Sequence, residues 1–496
     1  MKSTGKTRPA LRTENGGEDD RQTLWATLVF HPDFTRIGAR AALLSWPAER
    51  WPSPRDKHAI GRAVPDFSDG LPIGDPHVSR RALTLSFKPA GLLISVASES
   101  ADCRIGADRA TEVLVDHAQL AVGVPVRLGH GVVILLRQAA SAPAVYGTSI
   151  DEDAYPGTSE EVRQLRQLIF SAARSHLPVL VLGESGVGKE LVAGAVHRFS
   201  PRADERLVAI NMTAISEGLA AAELFGSTKG AFTGAQPRSG FFRDAHKGTL
   251  FLDEIGDTAP QIQTQLLRAL QTGEVQVVGG RPEVVDVRIV AATDADTSAE
   301  SGFRAALKHR LAGVTLEVPP LRSRLEDIGV IARGRLLSSE QGAALLAAAV
   351  EDPRVAAYWA GRFFDWLLER WPGNIRELIN ACDRELLDAA GRIQNGQWQI
   401  HEPTTDFVTD VGDDRLAEVH RASEFEVAAT ARALGMSRPT LYRRIRAHPD
   451  LRLADDISDD ELRESVARWG RDERTLSRHL EVSASALKAR LKSLKP

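Results

Sequence analysis

The stretch VLVLGESGVGKELVAGAVHRF, residues 179–199, decides the fold because it joins an apolar run to a helical pattern through a glycine-rich turn. Glycines at such a turn let backbone N–H groups wrap a phosphate, the following helix adds the positive end of its dipole, and a lysine reaches the β- and γ-phosphates. The residues predicted to bind a nucleotide are Gly183, Glu184, Ser185, Gly186, Val187, Gly188, Lys189 and Glu190. Glu190 replaces the usual Ser or Thr, which weakens the case for a hydroxyl ligand to Mg²⁺ but not for phosphate binding.

A second apolar run, GTLFLDEIGD at residues 248–257, ends on two carboxylates. Ligands of open α/β sheets bind outside the C-terminal ends of the strands. We expect Asp253 to hold Mg²⁺ through its water shell and Glu254 to polarise the attacking water. Helical patterns alternate with buried strands around both motifs, which predicts an α/β fold with a parallel sheet. ATP and Mg²⁺ are the predicted cofactors.

Residues 159 to about 390 resemble the AAA+ core of the sigma-54-dependent transcriptional activators, the bacterial enhancer-binding proteins. GESGVGKE is that family's usual phosphate loop, glutamate included, and ELFGSTKGAFTGA at residues 223–235 contains its GAFTGA sequence. The resemblance implies an ATP-hydrolysing homo-oligomeric ring, usually a hexamer, which contacts sigma-54 RNA polymerase through a projecting loop. The loop residues implied are Gly230, Ala231, Phe232, Thr233, Gly234 and Ala235.

The same resemblance implies roles for single residues. Asn211 stands where the family has a polar switch that engages the catalytic glutamate, and Arg304 and Arg310 match its arginine fingers, which act on a neighbouring subunit. Arg376 in WPGNIRELIN matches the sensor II arginine. Asp294 stands at the sensor I position, where the family usually has Asn, and a carboxylate there adds like-charge repulsion near the γ-phosphate. A DNA-binding regulator with a vestigial or slow ATPase is therefore an alternative function.

The C-terminal stretch AATARALGMSRPTLYRRIRAH, residues 428–448, predicts a helix-turn-helix and resembles the Fis-like DNA-binding module of these activators. The residues predicted to contact enhancer DNA are Ser437, Arg438, Thr440, Tyr442 and Arg443. A second helix-turn-helix pattern follows over residues 460–494. Two alternatives remain: the second unit is the true Fis-like module and the first its duplicate, or the first contacts bases while the second packs or dimerises.

Residues 23–137 alternate short β-rich runs with turns, which predicts an all-β sandwich. The stretch AIGRAVPDFSDGLPIGDPHVSRRAL, residues 59–83, is similar to the forkhead-associated (FHA) pattern, in which Arg62, Ser79 and Arg80 would hold a phosphothreonine. That ligand implies a phosphothreonine protein or a Ser/Thr kinase as partner, and a phosphothreonine-dependent scaffold as a third function. Ala82 replaces the usual His, and no Asn occurs between residues 91 and 130, so a degenerate sandwich kept for regulation is the other interpretation.

The composition restricts the class of protein. A net charge of −4 argues against blanket nucleic-acid binding, and two distant cysteines, Cys103 and Cys382, indicate structural thiols in a reducing cytoplasm. No apolar run approaches the roughly 20 residues of a membrane helix, so no membrane partner is expected. The predicted organisation has seven parts: a disordered lead-in (1–22), an FHA-like β-sandwich (23–137), a linker (138–158), an AAA+ α/β subdomain (159–322), an AAA+ helical subdomain (323–392), a second linker (393–415) and an all-α helix-turn-helix region (416–496).

Overall fold

The computed structural model describes most of the chain between residues 21 and 493. The described residues are 21–97, 103–106, 111–141, 150–232, 236–294, 303–394, 413–423, 425–427, 429–430, 441, 445–446, 448 and 451–493. Within these residues, no helix combines the length and the apolar character needed to cross a membrane.

The N-terminal part is a sandwich of two antiparallel sheets, as the alternating apolar runs predict. One sheet has the strand order β2-β1-β9-β8-β6 and the other the order β3-β4-β5-β7. The strands are β1 Arg21–Phe30, β2 Arg40–Pro47, β3 Lys57–Ile60, β4 Leu83–Lys88, β5 Gly91–Val96, β6 Cys103–Ile105, β7 Glu112–Val115, β8 Val124–Leu128 and β9 Val132–Ser141. A short helix, α1 His117–Val122, begins with Asp116 as its cap. Inward-facing residues such as Leu85 and Ile134 fill the core between the sheets.

The central part is a parallel five-stranded sheet with helices packed against it. The strand order is β11-β12-β15-β10-β16, so the strand before the phosphate loop is flanked on both sides. The strands are β10 Val179–Leu182, β11 Leu207–Asn211, β12 Thr249–Asp253, β15 Arg288–Thr293 and β16 Val314–Glu317, and a separate hairpin consists of β13 Glu274–Gln276 and β14 Pro282–Val284. The helices are α2 Glu160–Arg174, α3 Lys189–Arg198, α4 Glu217–Phe225, α5 Phe241–Asp244, α6 Pro260–Thr272 and α7 Ala305–Leu311.

A helical subdomain, the lid, follows the sheet. Its helices are α8 Asp327–Leu337, α9 Glu340–Glu351, α10 Pro353–Leu368 and α11 Asn374–Gln394. Asp352 caps α10 by accepting a hydrogen bond from the backbone N–H of Arg354 at 2.8 Å, and Pro353 opens the helix, where its missing N–H costs nothing. Trp359 and Trp371 are among the largest fully buried side chains, and they anchor the lid core.

The sandwich packs directly on the lid, and one face of the sandwich contributes side chains to the apolar core of the lid. Val29, Phe30, Val133 and Leu135 of the sandwich belong to the cluster formed by α8, α10 and α11. The rings of Phe30 and Phe363 lie 5.0 Å apart between centroids. A Cβ on Gly329 of α8 would lie 2.4 Å from the carbonyl oxygen of Val29, so this backbone approach requires glycine.

A buried ion pair crosses the same interface. The Arg137 guanidinium donates to both carboxylate oxygens of Glu326 at 2.9 Å, and it also pairs with Glu161 at 2.6 Å. Glu326 is 2% exposed, whereas Glu161 is 35% exposed. Burial raises the pKa of Glu326 to about 7, although Arg137 opposes the rise, while the two carboxylates raise the pKa of Arg137 against the effect of its own burial.

The C-terminal part contains two small helical clusters. The first includes α12 Asp413–Ala422 and buries Leu416, Leu441 and Ile445. The second is formed by α13 Asp459–Trp469, α14 Glu473–Leu480 and α15 Ala484–Ser493, with Leu462 and Leu487 in its core. The predicted sandwich, parallel α/β layer, helical subdomain and C-terminal helices are therefore all present as architecture. The strand β9 runs to Ser141, inside the segment predicted as the first linker.

Candidate functional site: a nucleotide-binding loop and the GAFTGA segment

The phosphate loop connects β10 to α3 and depends on its glycines. Gly186 and Gly188 adopt φ values of 78° and 101°, which L side chains rarely tolerate. A Cβ on Gly186 would lie 2.4 Å from the carbonyl oxygen of Gly373 in the lid. The first N–H groups of α3 have no intrahelical partners and lie at this loop, so the loop offers donors to an anion. Glu190 is exposed in the first turn of the helix.

Lys189 lies at the mouth of the loop with its amine almost enclosed. Its Nζ donates to the carbonyl oxygen of Gly183 at 3.0 Å and lies 3.4 Å from Glu254 Oε1. The side chain is 7% exposed. The loop lysine and the first carboxylate beyond β12 therefore form one charged pair at the C-terminal edge of the sheet.

The end of β12 brings the predicted acidic residues to that edge. Asp253 is the last residue of the strand and lies in register with Asn211 of the neighbouring strand β11. The Asn211 Oδ1 accepts hydrogen bonds from the backbone N–H and the hydroxyl of Thr213, at 2.9 and 2.6 Å. In this conformation the side-chain oxygen of Asn211 hydrogen-bonds to the turn after β11 rather than engaging Glu254.

The surroundings of Glu254 raise the pKa of its carboxyl. It adopts a φ of 52°, and its Oε2 accepts a hydrogen bond from the backbone N–H of Asp294 at 3.3 Å. Burial raises the pKa of the Glu254 carboxyl, Lys189 opposes that rise, and the charges of Asp294 and Asp253 add to it. The exposed Asp294 is therefore adjacent to the predicted base, and its carboxylate makes ionisation of that base harder.

The lid closes over the phosphate loop through the turn that opens α11. Asn374 is fully buried at a φ of 53°, and its Nδ2 donates to Glu184 Oε2 at 3.1 Å and to the carbonyl oxygen of Ser185 at 3.0 Å. Its Oδ1 accepts from the backbone N–H of Leu321 at 2.9 Å. Arg376, predicted as the sensor II arginine, donates to Ser185 Oγ at 3.2 Å. The structure thus brings Arg376 to the predicted loop.

Sequence analysis missed three residues that hold this loop in place. Arg322 pairs with Glu184 through two hydrogen bonds of 2.7 and 2.5 Å, and together with Asn374 it lowers the pKa of Glu184 to about 2. The hydroxyl of buried Tyr155 donates to the carbonyl oxygen of Val187 at 3.0 Å. The available signal for Asn374 was its place in the matched motif, two residues before Arg376. The positions of Arg322 and Tyr155 follow only from tertiary packing.

The two predicted arginine fingers hydrogen-bond to α6, outside the phosphate loop of their own chain. Arg310 donates to the carbonyl oxygen of Leu270 at 3.0 and 2.8 Å, through Nε and a terminal nitrogen. Arg304 precedes α7 and hydrogen-bonds to Gln263 and Thr264 of α6. Both arginines are exposed.

The described part of the GAFTGA segment, Gly230 to Phe232, follows a short stretch of paired backbone. Ser227 exchanges hydrogen bonds with Arg238 across the base of the loop, at 3.1 and 2.9 Å, and the N–H of Thr228 donates to the carbonyl oxygen of Val278 beside the β13–β14 hairpin. Gly230 has a φ of 79°, and Phe232 is 40% exposed. Ala231 lies next to them, whereas Thr233, Gly234 and Ala235 lie outside the described residues.

The remaining predicted contacts are distributed between the two ends of the chain. The backbone N–H of Arg62 donates to the carbonyl oxygen of Ser79 at 3.0 Å, and a Cβ on Gly61 would lie 2.1 Å from the carbonyl oxygen of Arg80, so the three predicted phosphothreonine residues are close together. Ala82, which replaces the family's His, is buried. The predicted DNA contacts Ser437, Arg438, Thr440, Tyr442 and Arg443 lie outside the described residues.

Comparison with known proteins identifies two family domains in this chain. The sigma-54 interaction domain matches residues 155–317, and the domain of Fis-family bacterial regulatory proteins matches residues 414–448. The Nif-specific regulatory protein of Azotobacter vinelandii is 38% identical over 66% of this chain, and the match spans 63% of that relative's length, less than two thirds. NtrX from Brucella abortus aligns in structure with a TM-score of 0.41 and 28% identity, over 60% of this chain and 69% of that one.

A second relative is matched over more than two thirds of its own length. The transcriptional regulatory protein ZraR of Escherichia coli (strain K12) is 39% identical over 62% of this chain, and the match spans 70% of that protein. This chain therefore belongs to the sigma-54-dependent transcriptional activators, the regulators that combine a sigma-54 interaction domain with a C-terminal Fis-type helix-turn-helix.

Proposed function

We propose that this chain binds enhancer DNA and uses ATP hydrolysis to open promoter complexes of sigma-54 RNA polymerase through its GAFTGA loop. The observation that carries the proposal is the convergence of Lys189, Glu254 and Asp253 at one sheet edge, with Arg376 of the lid on the adjoining loop. The same chain extends an exposed Phe232 on a loop whose base is fixed by backbone pairing. A nucleotide site and a partner-binding loop in one domain suit an ATP-driven remodelling protein.

The hydrogen-bond donors of the phosphate loop fit a nucleoside triphosphate. The free N–H groups at the start of α3 and the amine of Lys189 would hold the phosphates, and Arg376 would reach them from the lid. Mg²⁺ keeps several waters and binds through one or two carboxylates plus phosphates, so Asp253 alone would serve as its protein contact. When bound, Mg²⁺ supplies neutralisation of the charge that develops on the phosphates.

Glu254 is the proposed base for hydrolysis. Its carboxylate, once the nucleotide draws Lys189 towards the phosphates, is free to orient a water and accept its proton. Arg304 and Arg310 would complete the site from a neighbouring subunit, in a homo-oligomeric ring of the hexameric type. Both arginines are exposed, one before α7 and one within it, and they hydrogen-bond to α6, outside the phosphate loop of their own chain, which supports a role in trans.

Binding of sigma-54 to the loop is tested most simply with the nucleotide state fixed. The chain and sigma-54 are mixed with ATP, with ADP, or with ADP and aluminium fluoride, which mimics the transferring phosphoryl group, and the complex is measured by sedimentation. We expect a complex with the transition-state analogue that Phe232→Ala abolishes. Leu387→Ala, which removes an exposed apolar side chain from the lid, is the matched control and should bind normally. Equal binding of the Phe232 variant would refute the assignment of the loop.

We further propose that the N-terminal sandwich is an FHA-like regulatory domain. Two facts support this role: one face of the sandwich packs into the core of the lid that carries Arg376, and the backbones of Arg62, Ser79 and Arg80 lie close together. A phosphothreonine protein, such as a Ser/Thr kinase, would be the partner. Phosphothreonine peptides should bind the full chain and not Arg62→Ala. If binding proves independent of the phosphate, the sandwich acts as a protein-contact module only.

A further inference from the structure

The C-terminal region repeats itself at a fixed spacing. Helix α12 begins at Asp413 and α13 begins at Asp459, 46 residues later. A shift of 46 positions therefore aligns the sequences of the two units. Leu416 then corresponds to Leu462 and Leu441 to Leu487, and all four side chains are fully buried. The pattern Ser-x-x-x-Leu-x-x-Arg occurs once at residues 437–444 and again at residues 483–490. Only the first copy lies within the matched Fis-type domain, which covers residues 414–448.

The second copy has the geometry of a helix-turn-helix. Helix α14 ends at Leu480, Glu481 turns the chain at a φ of 53°, and α15 begins at Ala484. The Ser477 hydroxyl donates to the carbonyl oxygen of Val482 at 2.6 Å, and the Ser483 hydroxyl accepts from the N–H of Ala486 at 3.2 Å. Val482 and Leu487 are buried against α13 and α14, so the angle between the two helices is fixed by packing. This is the arrangement that places a second helix in a major groove.

Charge is unevenly distributed along the sequence of this unit. From Arg474 to the end of the chain there are six basic residues against the single acidic Glu481. The acidic residues of the unit are concentrated earlier, at the start of α13 and up to Glu473. Lys488 is exposed on α15. The two helices of the helix-turn-helix, α14 and α15, are thus more basic than α13, which suits binding to polyanionic DNA better than binding to a neutral protein surface.

The two copies also contact each other. The Ser483 hydroxyl at the start of α15 donates to Glu426 Oε1 of the first unit at 2.8 Å. This contact ties the orientation of α15 to the unit that carries the matched Fis-type domain.

We propose that residues 457–493 form a second DNA-binding module, which inserts α15 into a major groove of duplex DNA beside the module at residues 414–448. Each chain would then hold DNA at two places, with the exposed Lys488 of α15 among the phosphate contacts. The inference goes beyond the proposed activator function, since it concerns a second DNA contact and not promoter opening.

The test measures the salt dependence of DNA binding by the full chain. The probe is a fluorescent 60-base-pair duplex of random sequence, titrated at several KCl concentrations. Each lost phosphate contact lowers the slope of log K against log salt by about 0.9. We expect Lys488→Glu/Lys492→Glu to bind at least about five-fold more weakly at 0.1 M salt, with a slope smaller by about 1.8. Arg463→Glu, the same charge change on α13, is the matched control and should keep the full slope.

Substitutions in the first module distinguish DNA binding by the second module from enhancer binding by the Fis-type domain. Arg443→Glu/Arg444→Glu should leave residual binding that the further changes at Lys488 and Lys492 remove. Circular dichroism and ATP hydrolysis should be unchanged in the second-module variant. Normal affinity and slope in that variant, or complete loss of binding in the first-module variant alone, would overturn the proposal and leave α13 to α15 as a packing or dimerisation element.

Discussion

At the scale of single residues, Asp294 should set the pH dependence of hydrolysis. Burial raises the pKa of Glu254, and the adjacent Asp294 raises it further, so removal of that charge lowers it. Since a base works in its ionised form, Asp294→Asn should move the acidic limb of the ATPase pH profile to lower pH and increase the rate several-fold on that limb. Asp257→Asn, at an exposed carboxylate four residues beyond the strand, is the control. A profile that stays in place would show that Asp294 does not act on Glu254.

The two cysteines should differ sharply in reactivity. Burial raises the pKa of the Cys382 thiol to about 12, and the side chain is fully enclosed in the lid core, whereas Cys103 is half-buried. A thiol reagent at pH 8 should therefore label only one cysteine of the native chain, and Cys103→Ser should abolish that labelling. The second thiol should react only when urea unfolds the lid. Immediate labelling of both would contradict the burial of Cys382.

The sequence allowed the chemistry-bearing residues to be predicted only where a local pattern defines them. Lys189 was predicted from a contiguous strand, glycine-rich turn and helix, and Asp253 and Glu254 were predicted from the end of a single apolar strand. Arg322 and Asn374 lie far from Glu184 in sequence, and their contacts with it depend on how the lid packs. Asn211 shows the converse: its position was expected, but the direction of its side chain is decided by Thr213.

At the scale of elements, the β13–β14 hairpin should control the GAFTGA loop. Gly279 has a φ of 72°, and a Cβ there would lie 2.7 Å from Thr228 Oγ1 and 2.8 Å from the Cβ of Ala231. Gly279→Ala should displace the loop and reduce promoter activation at least about ten-fold, while ATP hydrolysis stays within about two-fold of normal. The clash is local, so the strain at the positive φ adds only about 1–2 kcal/mol.

Gly273→Ala is a closely matched control for this change. Gly273 has nearly the same φ, 70°, but a Cβ there would come no closer than 3.7 Å to a neighbour. Both variants therefore carry the same backbone strain, and only one disturbs the loop. Equal loss of activation in the two would mean that strain, and not the contact with Ala231, is responsible.

Most elements followed from periodicity, and the exceptions have physical causes. The parallel strands read as continuous apolar runs because both faces are covered, and the sandwich strands alternate because one face is exposed. The hairpin β13–β14 has three-residue strands with one buried residue in the first, Val275, so its pattern was too short to recognise. The continuation of β9 to Ser141 depends on pairing with β1, which composition does not reveal.

At the scale of the whole molecule, the Arg137–Glu326 pair should hold the sandwich on the lid. Arg137→Met leaves a 2% exposed carboxylate without its partner and should cost about 3–5 kcal/mol of unfolding free energy. Arg137→Met/Glu326→Met should recover most of that loss, since apolar side chains of similar size suit the buried site. Denaturant unfolding measures both. Equal destabilisation by the single and double changes would show that the pair is not coupled.

The same pair gives the interface a pH dependence. The pKa of Glu326 is raised in the folded chain to about 7, so folding favours the protonated form. Its contribution to stability is therefore fully present below about pH 4.5 and is lost as the pH rises through 7. Loss of the Arg137 charge raises the pKa further, so Arg137→Met should be more destabilising at pH 8 than at pH 6. The opposite order would contradict burial as the dominant cause.

This interface is the feature that sequence analysis could not predict. Val29, Val133 and Leu135 read as ordinary strand residues, and nothing in their pattern distinguishes a face that packs on a second domain from one inside the sandwich. Only the fold places them against α8 and α10. A signal received by the sandwich would therefore reach the lid, and with it Arg376, through direct packing.

The most direct measurement is open-complex formation by sigma-54 RNA polymerase on a sigma-54 promoter, with ATP, with a non-hydrolysable analogue and with Thr233→Ala. Opening with ATP alone, and its loss in the Thr233 variant with hydrolysis intact, is the predicted result. Hydrolysis without opening, in the full chain and in a chain lacking residues 1–150, would contradict the activator function. Absence of both would favour a DNA-binding regulator whose ATPase is vestigial.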